Sequence, residues 1–220
     1  MIARILTILR KDVRRLWPNV LVFWAVMVSV AVLNATLSPK LAWNDRDFLE
    51  SLPPLQWLAC VLLVVQLVQQ ERLAGHDQYW LARPISWPEL LAAKAIFLAA
   101  LVNLRVWICQ CAIWPAEPWS HQVPLTVFAV LPAAAFAAVT RHLGQSIICF
   151  FAVIVTLAGF APAILNFTRP PEPAAAIIAI VCGAVILLQY SRRQEVLARS
   201  VLVAGAAGLV LLSAFLNRAP

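Results

Sequence analysis

The segment ILRKDVRRLWPNVLVFWAVMVSVAVLNATL, Ile8 to Leu37, joins two halves of opposite character. Arg10, Lys11, Arg14 and Arg15 crowd its start, whereas no charged residue interrupts the run from Pro18 to Leu37. About 20 apolar residues in a helix cover roughly 30 Å, the hydrocarbon thickness of a bilayer. Basic residues beside such a run mark its cytoplasmic end. The segment therefore predicts a first membrane span with the N-terminus inside. The run exceeds the apolar core of a signal peptide and no A-x-A site follows it, so a retained span is expected.

The rest of the chain repeats this pattern. Of 220 residues 63% are hydrophobic and 12% charged, against roughly 25% charged in soluble domains. Apolar segments run over about 18–37, 54–70, 90–114, 123–140, 146–167, 173–190 and 200–217. A seven-segment, all-α, polytopic membrane bundle is expected. The net charge of +7 could point to nucleic acid, but the basic residues sit in short clusters between apolar runs, as membrane topology requires. No nucleic-acid partner is expected.

Lysine and arginine distribution tests that layout. With the N-terminus inside, the inner side holds Arg4, Arg10, Lys11, Arg14, Arg15, Arg72, Arg83, Lys94, Arg141, Arg192, Arg193 and Arg199. The outer side holds Lys40, Arg46, Arg169 and Arg218, leaving Arg105 within a span. Removing any span would invert every later loop, so twelve against four supports both orientation and helix number.

Before the first span, Ile2, Ile5, Leu6, Leu9, Val13 and Leu16 recur at helical spacing opposite the basic residues. Residues 1–17 thus read as an amphipathic helix lying in the inner interface, basic face toward anionic lipid and water. Trp17, Trp57, Trp114 and Trp119 fall near span ends, as interfacial aromatics do. Gly159 to Pro162 interrupts the fifth segment, and Arg169-Pro170-Pro171-Glu172-Pro173 blocks regular helix before the sixth, so a broken, partly re-entrant connection is expected. In the last segment Ala204 and Gly208 form a small-xxx-small pair suited to helix packing.

The longest inner loop, QERLAGHDQYWLARPISWPELLAAK from Gln70 to Lys94, is more than a reversal. Gly75 to Leu81 has room for one short helix, Arg83-Pro84 ends it, and Ser86-Trp87-Pro88-Glu89 reads as the start of another. Its aromatics imply a lipid interface or a protein partner.

Catalytic and metal chemistry find little support. Cys60, Cys109, Cys111, Cys149 and Cys182 lie in apolar runs, an odd number that argues against a disulfide framework. His76, His121 and His142 stand at no metal-ligand spacing, so no metal is expected. No G-x-x-x-x-G-K-[ST] occurs, and the spans lack the acid, histidine or Ser-His sets of an intramembrane enzyme. The chain is not expected to be an enzyme.

Taken in order, ILRKDVRRLWP, a span, VQLVQQERLAG and a D-x-x-W-L-x-R-P-I-S stretch leading into ELLAAK resemble the membrane subunit of a type-2 ATP-binding-cassette (ABC) exporter. The likeness is to a bacterial permease-like branch with a W-L-T-R-P-type motif, is specific over about residues 1–100, and continues in LPAAAFAAVTRHLGQ. It implies a six-span permease core over residues 18–190, followed by an inner basic loop and a seventh helix over 191–220. It also implies a bacterial inner-membrane location and pairing with a second permease subunit and a cytosolic ATPase. ATP and Mg would be used by that ATPase, with no cofactor on this chain. Carried over residue by residue, the coupling loop of residues 71–89 comprises Glu71, Gly75, Asp77, Trp80, Arg83, Pro84 and Glu89, with Lys94 at the base of the third span. Two features depart from the family: the seventh segment and Arg105, which either lines a polar translocation path or snorkels outward toward Glu117. The competing expectation is a motor-free scaffold or shortened permease-like protein without transport of its own. Lipid, peptide, drug and polysaccharide exporters share this layout, so no cargo is implied.

Overall fold

The computed structural model describes residues 2–37, 53–70, 86–104, 106–108, 123, 125–140, 142–160, 172–192 and 194–216. Among the described residues there is no strand, and the chain is an all-α membrane bundle. We label the helices α1 (Ile2–Leu37), α2 (Pro53–Gln69), α3 (Trp87–Phe97), α4 (Leu131–Val139), α5 (Leu143–Phe160), α6 (Glu172–Ser191) and α7 (Glu195–Leu216). A π-helical stretch, Leu98–Asn103, extends α3, and another, Leu125–Val130, leads into α4. These helices overlap all seven expected segments. Four are long and apolar enough to cross a membrane, over Ile2–Leu33, Trp87–Ile108, Pro173–Ser191 and Glu195–Leu212, and three shorter apolar helices accompany them.

The N-terminal region departs from expectation. α1 is one helix of 36 residues with Pro18 inside it, where an interfacial helix and a separate span were expected. Proline deprives the Arg14 carbonyl of its usual N–H partner, yet the helical path continues. At 1.5 Å per residue α1 is about 54 Å long, well beyond one bilayer core. The buried stripe is Ile8, Asp12, Leu16, Val20, Phe23, Met27 and Val30, at steps of three and four. Ile2 and Leu6, on the expected apolar face, remain exposed.

The chain forms two compact units: residues 1–63 with 88–123, and residues 64–87 with 124–220. The continuous helix α2 thus contributes to both. In the first unit three contacts advance together: Arg4 with Glu89, Asp12 with Lys94, and the Trp24 indole N–H donating to the Leu101 carbonyl at 3.2 Å. α1 and α3 therefore run parallel, as spans separated by one return crossing must. The last contact lands in the π-helical stretch, where the Leu104 N–H reaches back five residues to Ala99. A side-chain donor supports backbone there whose ordinary ladder is altered.

The second unit is organised around α4. In LPAAAFAAV, Ala133, Ala134, Ala135, Ala137 and Ala138 are all buried, so no face of the helix is left polar. Small side chains let neighbours approach closely, and α4 packs against α5, α6 and α7. α7 packs most extensively on α6 and belongs to the same compact unit as α4 to α6. They approach closely at Gly205, where an added Cβ would lie 2.6 Å from Val181 Cγ1. The expected Ala204/Gly208 pair is displaced from this contact: Ala204 is exposed and a Cβ on Gly208 would meet nothing within 4 Å.

Candidate functional site

The inner loop leaves α2 at Gln69 and enters α3 at Trp87. Glu71, Gly75, Asp77, Trp80, Arg83 and Pro84 lie outside the described residues, as does Arg105. So do Cys109, Cys111, Trp114, Trp119 and the connection from Ala161 to Pro171. Both ends of the loop are described; the first runs into a part-buried polar cluster and the second into a buried ion pair.

In the second unit, the end of α2 meets the turn between α4 and α5. Thr140 leaves the helix in extended geometry, with φ −107° and ψ 149°, while its N–H and hydroxyl both donate to the Phe136 carbonyl. This pairs two groups that a chain turning at the end of an apolar helix would otherwise bury unmet. The turn brings the Thr140 hydroxyl against that of Ser146, the latter wholly buried. Gln69 completes the cluster: its amide donates to Ser146 Oγ at 2.6 Å and to Thr140 Oγ1 at 3.4 Å. Alongside, Arg199 donates to the Val139 carbonyl at 3.1 Å, a cation placed on the C-terminal end of α4. These contacts bring the end of α2, the α4–α5 turn and the start of α7 to one end of this unit.

In the first unit, the base of α3 is held by charge. α3 begins where the sequence indicates, with Ser86 preceding it and Glu89 in its first turn. Lys94 Nζ lies 2.7 Å from Asp12 Oδ2, and the two side chains are 3% and 0% exposed. Asp12 Oδ1 makes no hydrogen bond and stands 3.7 Å from Lys11 Nζ, so one carboxylate faces two ammonium groups. One turn nearer the start of α3, buried Glu89 lies 4.0 Å from the largely exposed Arg4 guanidinium. Glu89 and Lys94 are thus brought together with α1. Asp12 escaped the sequence reading, although it stands four residues from both Ile8 and Leu16, on what became the buried stripe.

Elsewhere in the second unit an apolar cavity of about 160 Å³ lies among α4 to α7, bordered by Phe128, Phe136, Phe150, Ile178, Cys182 and Leu209. Its walls offer no hydrogen-bonding or charged side chain beyond the Cys182 thiol. Among the described residues no group of three or more His, Cys, Asp or Glu could hold a metal ion. Compared with protein-family models, curated proteins and solved structures, the chain matches none.

Proposed function

We propose that this protein is the membrane subunit of an ABC-type exporter, in which a separate cytosolic ATPase docks on the loop between α2 and α3. The observation that carries this reading is the anchoring of the loop at both ends. Gln69 ties its start to the α4–α5 turn, and Lys94 ties its end to α1 through Asp12. A push on the loop would therefore reach helices of each unit, through part-buried hydrogen bonds at one end and a buried ion pair at the other. The sequence likeness over residues 1–100, the basic bias of the inner loops and the sequence pattern of Asp77, Trp80 and Arg83-Pro84 support the same reading.

In this reading the chain performs no bond chemistry. ATP and Mg are used by the partner, and the helices, paired with those of a second permease subunit, rock around a translocation path. Glu89, buried beside Arg4, anchors the base of α3, the element on which the docked loop would act. The N-terminus lies on the cytoplasmic side of a bacterial inner membrane.

Co-purification tests the proposal. A cytosolic ATPase is expected to accompany the detergent-solubilised chain and to be lost on combining Asp77→Ala, Trp80→Ala and Arg83→Ala. Undiminished binding by that variant would contradict the docking site. Absence of any ATPase partner would favour a motor-free scaffold.

A further inference from the structure

We propose that the basic face of α1 is a binding site for the phosphate of anionic phospholipids, built into the start of the first span. It rests on the membrane reading alone and not on the exporter proposal. Thr7, Arg10, Lys11, Arg14 and Arg15 line one shallow recess, their spacing of three, four, seven and eight placing them on one side of the helix. Asp12 is the only acid from Met1 to Leu37, and it is buried on Lys94, so the acid nearest in sequence is committed elsewhere. Lys11 is partly shared with Asp12, but Arg10, Arg14 and Arg15 have no acidic partner among the described residues.

Depth selects the ligand. Arg14 and Arg15 precede Trp17 by three and two residues, about 3 to 5 Å along the helix axis, and Arg10 precedes it by about 10 Å. The polar headgroup layer occupies roughly the first 5–7 Å outside the hydrocarbon on each side. With the apolar run beginning near Trp17, Arg14 and Arg15 lie at the level of lipid phosphates and Arg10 just beyond them. A planar guanidinium matches a phosphate with two parallel hydrogen bonds. Exposed Trp17, at the start of the apolar run, supplies an interfacial aromatic at that depth, which a helix reading nucleic acid in the cytosol would not require. The Asp12–Lys94 pair gives the face its direction: by fixing the rotation of α1 against α3, it turns the arginines outward.

Native mass spectrometry of the purified full chain, with phosphatidylglycerol or phosphatidylcholine added, reads this directly. The wild type is expected to retain phosphatidylglycerol at least tenfold better than phosphatidylcholine. Combining Arg10→Gln, Arg14→Gln and Arg15→Gln is expected to weaken retention roughly a hundredfold, about fivefold for each charge. The corresponding triple lysine variant should stay within about fivefold of wild type, and Arg192→Gln, at an exposed site in the other unit, should change nothing. Should the glutamine triple not fold, Arg14→Gln alone carries the test, with a loss of about fivefold expected. Equal retention of both lipids by the wild type would overturn the site. So would wild-type retention by the folded triple variant, or by Arg14→Gln where it stands in for the triple. Displacement of the lipid by inorganic phosphate at matched concentration would reassign it to free phosphate.

Discussion

The two units hold the ends of one loop by opposite means. At the base of α3 a carboxylate and an ammonium are paired out of water, whereas at the end of α2 an amide and two hydroxyls share neutral hydrogen bonds beside an alanine-rich helix. The contrast separates specificity from cohesion. A buried ion pair loses most of its attraction to desolvation, so it contributes little net stability but makes the wrong arrangement very costly. Close packing of small side chains gains dispersion contacts without that penalty, and the second unit relies on it.

Substitutions can break this contrast in graded steps. Asp12→Asn or Lys94→Met alone strands a buried charge, and either is expected to cost about 3–5 kcal/mol. Thermal unfolding in detergent would show it, and combining Asp12→Leu with Lys94→Met should recover much of the loss. A double variant as unstable as the sum of the singles would show that the pair is not coupled. Next comes Gly205→Leu, which drives a side chain into Val181 and is expected to cost about 1–3 kcal/mol through overpacking. Gly208→Ala meets nothing and should be neutral or mildly stabilising by the same assay.

Smaller effects are expected in the neutral cluster. Gln69→Leu should cost about 0.6 kcal/mol and no more than about 2, as hydrogen bonds within membrane bundles usually do. A loss as large as that at Asp12 would erase the distinction between the two anchors. Smallest is Arg4→Gln, since its side chain is 62% exposed and its guanidinium 4.0 Å from Glu89; an exposed charge is expected to contribute less than about 1 kcal/mol.

Much of this fold was legible in the sequence because membrane helices announce themselves by length and composition. The described residues of all seven segments are nearly all helical, four of the segments in helices long enough to cross a membrane, and Trp87 to Glu89 began one as its local chemistry indicates. What escaped depends on neighbours. Periodicity placed Ile2, Leu6 and Leu16 on one face of α1, but the rotation that buries Ile8 and Asp12 and leaves Ile2 and Leu6 exposed is set by α3, about 80 residues away in sequence. Gly205 and Gly208 are indistinguishable in a Gly/Ala-rich helix until Val181 arrives beside one of them. Pro18 stood at the expected boundary between an interfacial helix and the first span, while the surrounding helix runs through it. Of the candidate site, Glu89 and Lys94 were read from the sequence, but their pairing with Arg4 and Asp12 was not, since an ion pair between distant segments leaves no local pattern.

The docking claim is tested most directly by placing a photo-crosslinking amino acid at Trp80 in the full-length chain and irradiating living cells. The result expected is a covalent adduct with a cytosolic protein that hydrolyses ATP, diminished when Asp77→Ala and Arg83→Ala are added. Adducts with lipid alone, or an ATPase adduct indifferent to those changes, would contradict it.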